Sequence, residues 1–395
     1  MQLGPIDIAI LGGGLSGSLL ALALARLRPE RRVVVIEAGE RLGGNHVWSY
    51  FQHDIASQHE WLVAPLVVRQ WHGYDVHFPS HSRHLSSVYS SVTGERLDAV
   101  VRERLRQEDI MTGTAVTDAG PGHVILGCGT RLDAGAVIDA RGMQGLPHMA
   151  GGWQKFLGQM LRLDAPHGLE RPVVMDARVA QHDGYRFVYC LPFSETEVFV
   201  EDTYYADGPE LDLPLLRTRI GEYAATQGWG LAEVTREETG VLPVIARGDF
   251  DAFWQAGGSG IARAGTRAAL IHPLTGYSLP DAVQLAVHIA QQPQITGEAL
   301  AEVTHCHARS LWKRRAFYRM LAAMLFSAAH PQERYRVLER FYTLPEGLIE
   351  RFYAARSTRF DRLRVLAGKP PVPLGAAMAS ITGRGRPLSP LELAA

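Results

Sequence analysis

The chain has 395 residues, 46% of them hydrophobic and 21% charged, with a net charge of −1. That length exceeds what one hydrophobic core usually organises and predicts two lobes, while the near-zero charge excludes a general affinity for nucleic acid or acidic partners. Three scattered cysteines, Cys128, Cys190 and Cys306, exclude a disulfide framework and point to a reducing cytoplasm.

In chain order, the N-terminus lacks a basic leader and carries Asp7 early, so no secretory signal is read. Ile6 to Leu11 predicts a buried strand, followed by a glycine turn and a helix running to about Leu27. The run Ile8 to Ala25 is free of charges and long enough to span a membrane, but its glycines fall where a nucleotide-binding turn needs them. Pro29 and Glu30 mark the next turn, and Arg32 to Ile36 reads as a second, parallel strand. Gly12-x-Gly14-x-x-Gly17 sits between this first strand and its helix. Gly12 permits the tight turn, Gly14 lets a pyrophosphate approach the backbone, and Gly17 lets the helix close on the sheet. The helix start at Leu15 and Ser16 offers free N–H groups to phosphates. Glu37, beside Ala38, follows the second strand twenty residues after Gly17, where a carboxylate binds the adenosine ribose.

Further strands are predicted at Val124 to Leu126 and Ala136 to Ala140. A hairpin follows, from Tyr185 to Phe193, through the polar turn Ser194 to Glu197, into Val198 to Thr203. Alternation along its second strand puts Phe199 and Glu201 on one face and Val198, Val200 and Asp202 on the other. A carboxyl held among apolar groups keeps its proton to higher pH, which suits a general acid. The stretch Gly257 to Gly276 is rich in glycine and small residues and leads into a helix from Asp281. From about Leu300 the chain turns helical, basic and aromatic, and Leu311 to Arg364 holds twelve Lys/Arg against five Asp/Glu. There Trp312, Phe317, Tyr318, Met320, Leu321, Met324, Leu325 and Phe326 interleave with Lys313, Arg314, Arg315 and Arg319. That pattern predicts a basic amphipathic helix in a bilayer interface, with a helical cap bearing solvated arginines as the alternative. The last dozen residues read as disordered. Thr304-His-Cys-His307 sets two histidines at i and i+2, off one helix face, and nothing completes a tetrahedral set, so no metal is assigned.

Several segments carry a resemblance. Arg41-Leu-Gly43-Gly44-Asn45 resembles the N-terminal signature of large FAD-binding proteins, so FAD is preferred over NAD(P). Ala136-Val-Ile-Asp-Ala-Arg141-Gly142 is similar to the strand end that returns to that cofactor. Ala264-Gly265-Thr-Arg-Ala-Ala-Leu-Ile-His272-Pro273-Leu-Thr-Gly276-Tyr-Ser-Leu-Pro280 resembles the late flavin-proximal loop, although Thr266 stands where flavin hydroxylases usually place an Asp. The implied fold is α/β, a Rossmann-type FAD-binding domain like that of flavin hydroxylases, with a β-sheet substrate domain and a helical C-terminal region. The FAD lobe is assigned to residues 1–75, about 120–160 and 257–300, and the substrate lobe to about 76–119 and 161–256. Residues 301–373 form the basic, membrane-associating region and 374–395 a tail. Cofactor contacts are assigned to Gly12, Gly14, Leu15, Ser16, Gly17, Glu37, Ala38, Gly43, Gly44, Asn45, His46, Arg141, Gly142, Gly265, His272, Pro273, Thr275, Gly276 and Tyr277.

Gly43-Gly-Asn-His-Val-Trp-Ser49, Ala64-Pro-Leu-Val-Val68, Asp176 with Gly184-Tyr-Arg-Phe-Val-Tyr189, Val200-Glu-Asp-Thr203 and His272 to Pro280 together resemble bacterial lycopene β-cyclases. So do Phe341-Tyr-Thr-Leu-Pro345, Leu348-Ile-Glu-Arg-Phe-Tyr353 and Leu366-Ala-Gly-Lys-Pro-Pro-Val-Pro373. The resemblance implies an isomerase that closes β-ionone rings on lycopene and then γ-carotene. A proton adds to the terminal double bond, the neighbouring double bond attacks the tertiary cation, and a ring proton leaves. The reaction is redox-neutral, yet the family implies reduced FAD with NAD(P)H as electron donor; a reduced, anionic flavin would stabilise the cation. By the same resemblance Glu201 is the acid and Asp202 a helper, while Trp48, Tyr185, Tyr189 and Tyr277 offer aromatic faces to a cation. The implied partners are the two carotenoids, membrane lipid and other carotenoid-pathway enzymes, and the implied place is the inner face of the cell membrane, peripherally bound from the cytoplasm. Two rival readings are a flavin monooxygenase or reductase acting on an isoprenoid, and a non-catalytic flavin-containing carotenoid carrier.

Overall fold

Local sequence decides the strands, and two sheets then decide where they go. The computed structural model describes residues 5–143, 145–182, 184–258, 260–368 and 372–392. The first strands are β1 (Ile6–Leu11), β2 (Val33–Ile36), β3 (Val47–Phe51), β4 (Val67–His77), β5 (Ser82–Thr93), β6 (Ile110–Met111), β7 (Val116–Gly120), β8 (His123–Leu126) and β9 (Arg131–Asp139). Then come β10 (Met149–Leu163), β11 (Val173–Asp176), β12 (Gly184–Pro192), β13 (Glu197–Ala206), β14 (Leu231–Gly248), β15 (Ala262–Arg263) and β16 (Ser389–Pro390).

The first sheet runs β6-β2-β1-β9-β8-β7, with β15 beside β9. Its central strand β1 pairs in parallel with both β2 and β9. Being covered on both faces, β1 must be apolar throughout its interior, and Ile8, Ala9, Ile10 and Leu11 are fully buried. The helices Leu15–Leu27 and Leu279–Ala290 pack on one face through Leu19, Leu20, Leu285 and Ile289. The hairpin β7–β8 closes the other with Val124 and Leu126.

The second sheet runs β14-β10-β13-β12-β11-β4-β5-β3, with β16 beside β10. Strands β14, β10, β13 and β12 are antiparallel neighbours. One face carries Leu157, Leu161, Val198 and Val200 and is covered by the helix Leu213–Thr226 through Ile220 and Tyr223. The opposite face carries Tyr185, Phe187 and Phe199 and is covered in part by helices between residues 316 and 353. Where those helices stop, this face looks across at the first sheet's strand ends.

The C-terminal region departs from the sequence expectation. The helix expected across Trp312 to Phe326 is broken at Arg315, between the helices Gly297–Arg314 and Ala316–Ser327. Its apolar side faces inward: Tyr318, Leu325 and Phe326 are core residues. Arg315 is buried too, with Nη1 and Nη2 each 2.6 Å from the Asp281 carboxylate. Most of the exposed large apolar side chains lie further on, at Phe360, Leu363 and Leu366 of the helix Arg359–Leu366 and at Leu374, Met378 and Ile381 of the helix Leu374–Ile381. Residues of the tail expected to be disordered are instead anchored, since Ser389–Pro390 pairs with β10 and Leu391 is fully buried. Lys369 to Pro371 of the last quoted motif lie outside the described residues. Among the described residues no helix is long and apolar enough to cross a membrane, and the three cysteines are free.

Candidate active site

One cleft of about 510 Å³ runs between the two sheets, from the glycine turn after β1 to the open face of β10, β13 and β14. At its first end Gly12 adopts φ +92°, which only glycine takes without strain. A Cβ on Gly17 would overlap the Gly12 carbonyl oxygen, so the helix can follow the turn this closely only without a side chain there. Nothing lies within 4 Å of where a Cβ on Gly14 would stand, leaving that backbone open to the cleft. Glu37 is held by two backbone donors, Gly13 N–H at 2.7 Å and Gly39 N–H at 2.7 Å. A carboxylate fixed at the edge of an open glycine turn suits the ribose and pyrophosphate of a dinucleotide.

The middle of the cleft is walled by Arg141, Gly142, Gly265, Thr266, Thr275, Gly276 and Tyr277. Arg141 is fixed by Asp139, with Nη2 2.8 Å from Oδ2. The 272–277 turn is built around His272, whose Nδ1 accepts from the Leu274 and Thr275 N–H groups at 3.3 and 3.1 Å. Burial, aided by the Arg315 charge, pushes this imidazole down to about 3. Its ring is therefore neutral and serves as an acceptor. Gln154 Oε1 and Thr275 Oγ1 both belong to cleft residues and are buried without a partner among the described residues. Buried polar atoms of this kind normally have partners, so this wall fits a ligand with several hydrogen-bonding groups of its own.

The far end is apolar and acidic. On β13, Phe199 and Glu201 face the cleft while Val198, Val200 and Asp202 face the other way. Thr203 donates to Glu201 Oε1 at 2.5 Å, and burial raises the Glu201 carboxyl to about 7. Tyr89, Phe156, Tyr189, Leu191 and Trp48 share this part of the wall, and the Tyr89 and Tyr277 hydroxyls lie 3.1 Å apart. A protonated carboxyl among aromatic faces can hand a proton to an apolar substrate and shelter the cation that forms.

The cleft brings together Gly12, Gly14, Leu15, Ser16, Glu37, Ala38, His46, Arg141, Gly142, Gly265, Thr275, Gly276, Tyr277 and Glu201. It does not bring Gly17, Gly43, Gly44, Asn45, His272 or Pro273 to its surface. Asp202 is turned to the far side of the sheet, bonded to Arg186 Nε at 2.8 Å and to the Tyr204 hydroxyl at 2.9 Å. Tyr185 is a core residue stacked on Phe187 at 4.9 Å, not a cleft wall. Sequence reasoning missed Tyr89, Gln154, Phe156 and Glu238, all of which line the cleft. Their strands, β5, β10 and β14, pair with distant segments, and the sequence marked none of them as strands. Outside the cleft, Glu302, His305 and Cys306 come within 4.8 Å on one helix and are largely exposed, three potential donors without a fourth among the described residues.

A family model described as lycopene cyclase protein matches residues 7–379. A lycopene beta-cyclase of Pseudescherichia vulneris is 47% identical over 372 residues, covering 94% of this chain and 96% of the relative. A lycopene beta-cyclase of Pantoea ananas is 45% identical over 376 residues, covering 95% and 97%. Among solved structures, a p-nitrophenol 4-monooxygenase from Pseudomonas putida superposes with a TM-score of 0.60 at 15% identity, over 90% of this chain and 99% of that one.

Proposed function

The chain belongs to the lycopene cyclase family, and from that premise we propose that it is a lycopene β-cyclase working with reduced FAD. The observation that carries this reading is the cleft joining a dinucleotide turn at Gly12 and Gly14 to the Glu201 carboxyl, which burial raises to about 7.

Gly12, Gly14, Leu15, Ser16 and Glu37 would hold the ADP half of the cofactor, and Gly265, Thr266, Thr275 and Gly276 the flavin half. When bound and reduced, the flavin supplies negative charge beside the reacting end of the polyene; NAD(P)H is the electron donor of this reading. The chain's own residues do the rest. Glu201 gives its proton to the terminal double bond, leaving a tertiary cation. Trp48, Tyr189, Tyr277 and Phe199 exclude water and turn aromatic faces to it. The neighbouring double bond closes the ring, and loss of a ring proton restores neutrality, first giving γ-carotene and then β-carotene. Asp202 contributes by fixing Arg186 behind β13 and so holding the strand in place.

An acyclic carotenoid is nearly insoluble in water, so the protein must take it from membrane. The exposed apolar residues of the helices Arg359–Leu366 and Leu374–Ile381 support peripheral attachment there, with Arg359, Arg364 and Arg384 exposed among them for anionic headgroups.

The test is to incubate purified protein with lycopene, FAD and NADPH, with and without oxygen. Ring formation without oxygen supports the cyclase. An oxygen-dependent hydroxylated product indicates a monooxygenase, and unchanged pigment indicates a carrier.

A further inference from the structure

We propose that Glu238 is a second catalytic carboxylate of this cleft, the base that takes the ring proton from the cyclised cation. The proposal rests on the cyclase reading and adds to it the group that completes the reaction.

The geometry comes from the register of three antiparallel strands. On β10, Gly158 is paired with Glu201 of β13 on one side and with Glu238 of β14 on the other. Directly paired residues point to the same face of a sheet, so both carboxylates point into the cleft, and both line it. Two strand spacings separate their backbones by about 10 Å. Between them Gly158 has no side chain, and the Phe199 ring lies over it so closely that a Cβ there would overlap the ring. The result is an acid and a second carboxylate flanking an aromatic floor in one cleft.

Glu238 is deeply buried although it stands in an otherwise exposed stretch, Leu231 to Val234 being on the surface. Its Oε2 accepts the Val47 N–H at 2.6 Å. Structural need alone does not explain a carboxylate there, because a neutral amide would accept the same bond without the cost of burying charge. The charged groups facing it are Glu201 across the cleft, and Arg236 and Glu95 behind it, themselves paired at 2.9 Å. Burial and the Glu201 charge push Glu238 up to about 8, and burial pushes Glu201 up to about 7, so near neutrality the two carboxyls share their protons as a coupled pair. The base role uses Glu238 in its ionised form, which the Val47 N–H and the Arg236 charge stabilise against burial.

The atoms balance. Glu201 loses a proton to the terminal alkene carbon, and the ring carbon–carbon bond forms. The cation then loses a proton from an adjacent ring carbon to the Glu238 carboxylate, and the electrons of that C–H bond become the ring double bond. Glu238 then gives that proton to solvent and Glu201 takes one from solvent, and nothing is oxidised or reduced. The ring cation has three neighbouring carbons that could lose a proton, so the placement of the base also selects the position of the double bond. Among the other titratable groups of the cleft, Glu37 is occupied at the ribose end, and burial keeps the Tyr89, Tyr189 and Tyr277 hydroxyls protonated. His46 is the remaining base and sits on the exposed loop before β3.

The experiment compares wild type, Glu238→Gln and Glu238→Asp, each purified with FAD and given lycopene in liposomes. Gln still offers Val47 an acceptor oxygen but cannot take a proton. The expected result is normal flavin absorbance and unchanged KM for Glu238→Gln. Its kcat falls by roughly 10²–10⁴-fold, or its products carry the ring double bond at another carbon, and Glu238→Asp restores part of the β-ring output. Near-normal turnover to β-rings alone in Glu238→Gln would overturn the proposal in favour of His46. Loss of flavin from Glu238→Gln would overturn it in favour of a role in holding the Val47 loop. A wild-type protein that closes no rings would remove the cyclase reading itself.

Discussion

Glu201 and Asp202 are adjacent carboxylates with opposite surroundings, and a strand's two-residue period separates them. Asp202 meets Arg186 and Tyr204 behind the sheet, whereas Glu201 meets one hydroxyl and an aromatic cleft. Replacing Glu201 by Gln keeps the shape and removes the proton; cyclisation is expected to fall by about 10²–10⁴-fold while bound FAD, read by absorbance, is retained. The pH dependence follows from the raised value of about 7. The acid holds its proton below neutrality, so activity declines up to tenfold per pH unit above about 7 on this limb, while the Glu238 base, raised to about 8, sets an opposing decline toward lower pH. Stability moves the same way: the folded protein keeps protons on Glu201 that the unfolded chain releases from about pH 4.5, so stability falls as pH rises from there through 7. Glu201 was legible because alternation and apolar neighbours single it out. Glu238 was not, because the run from Glu233 to Glu238 reads as a solvated edge, and its burial comes from the Val47 loop, which is 191 residues away in sequence.

At the scale of elements, the opening strand, glycine turn, helix and second strand could be read almost to the residue, since their geometry is dictated locally. The hairpin β12–β13 was legible for the same reason; the structure extends its strands to Gly184 and Ala206, ends the first at Pro192 and starts the second at Glu197. The partners of that hairpin were not legible, because β14 carries a polar run from Thr235 to Thr239 and both β10 and β14 pair over a distance the sequence does not mark. Two glycines test the two ends of the cleft separately. Gly17→Ala forces the first helix away from the Gly12 carbonyl, and the purified variant is expected to lose its flavin. Gly158→Ala displaces the Phe199 ring while leaving the dinucleotide turn intact, so it should keep flavin and lose most of its turnover. If both variants lose flavin and activity together, the division of the cleft into a cofactor end and a proton-transfer end is wrong.

For the whole molecule, the basic C-terminal region shows how packing overrides a pattern. The alternation of arginine and aromatic residues at 312–326 fits an interfacial helix, but the second sheet has an open apolar face that must be covered, and Tyr318, Leu325 and Phe326 cover it. The most exposed large apolar side chains are Phe360, Leu363, Leu374 and Met378. Vesicles with anionic lipid should bind the protein, less tightly at high salt, and Phe360→Glu with Leu374→Glu should weaken that binding in a sedimentation assay without altering flavin content. Unchanged sedimentation of the double variant would place the membrane contact elsewhere. The central claim, that a proton from the protein closes a ring with no change in oxidation state, is tested most directly by a single anaerobic turnover in deuterated water with enzyme in excess over lycopene. The account predicts a cyclic product carrying one deuterium for each ring closed and no added oxygen. A cyclic product without deuterium, or one that has gained oxygen, would contradict it.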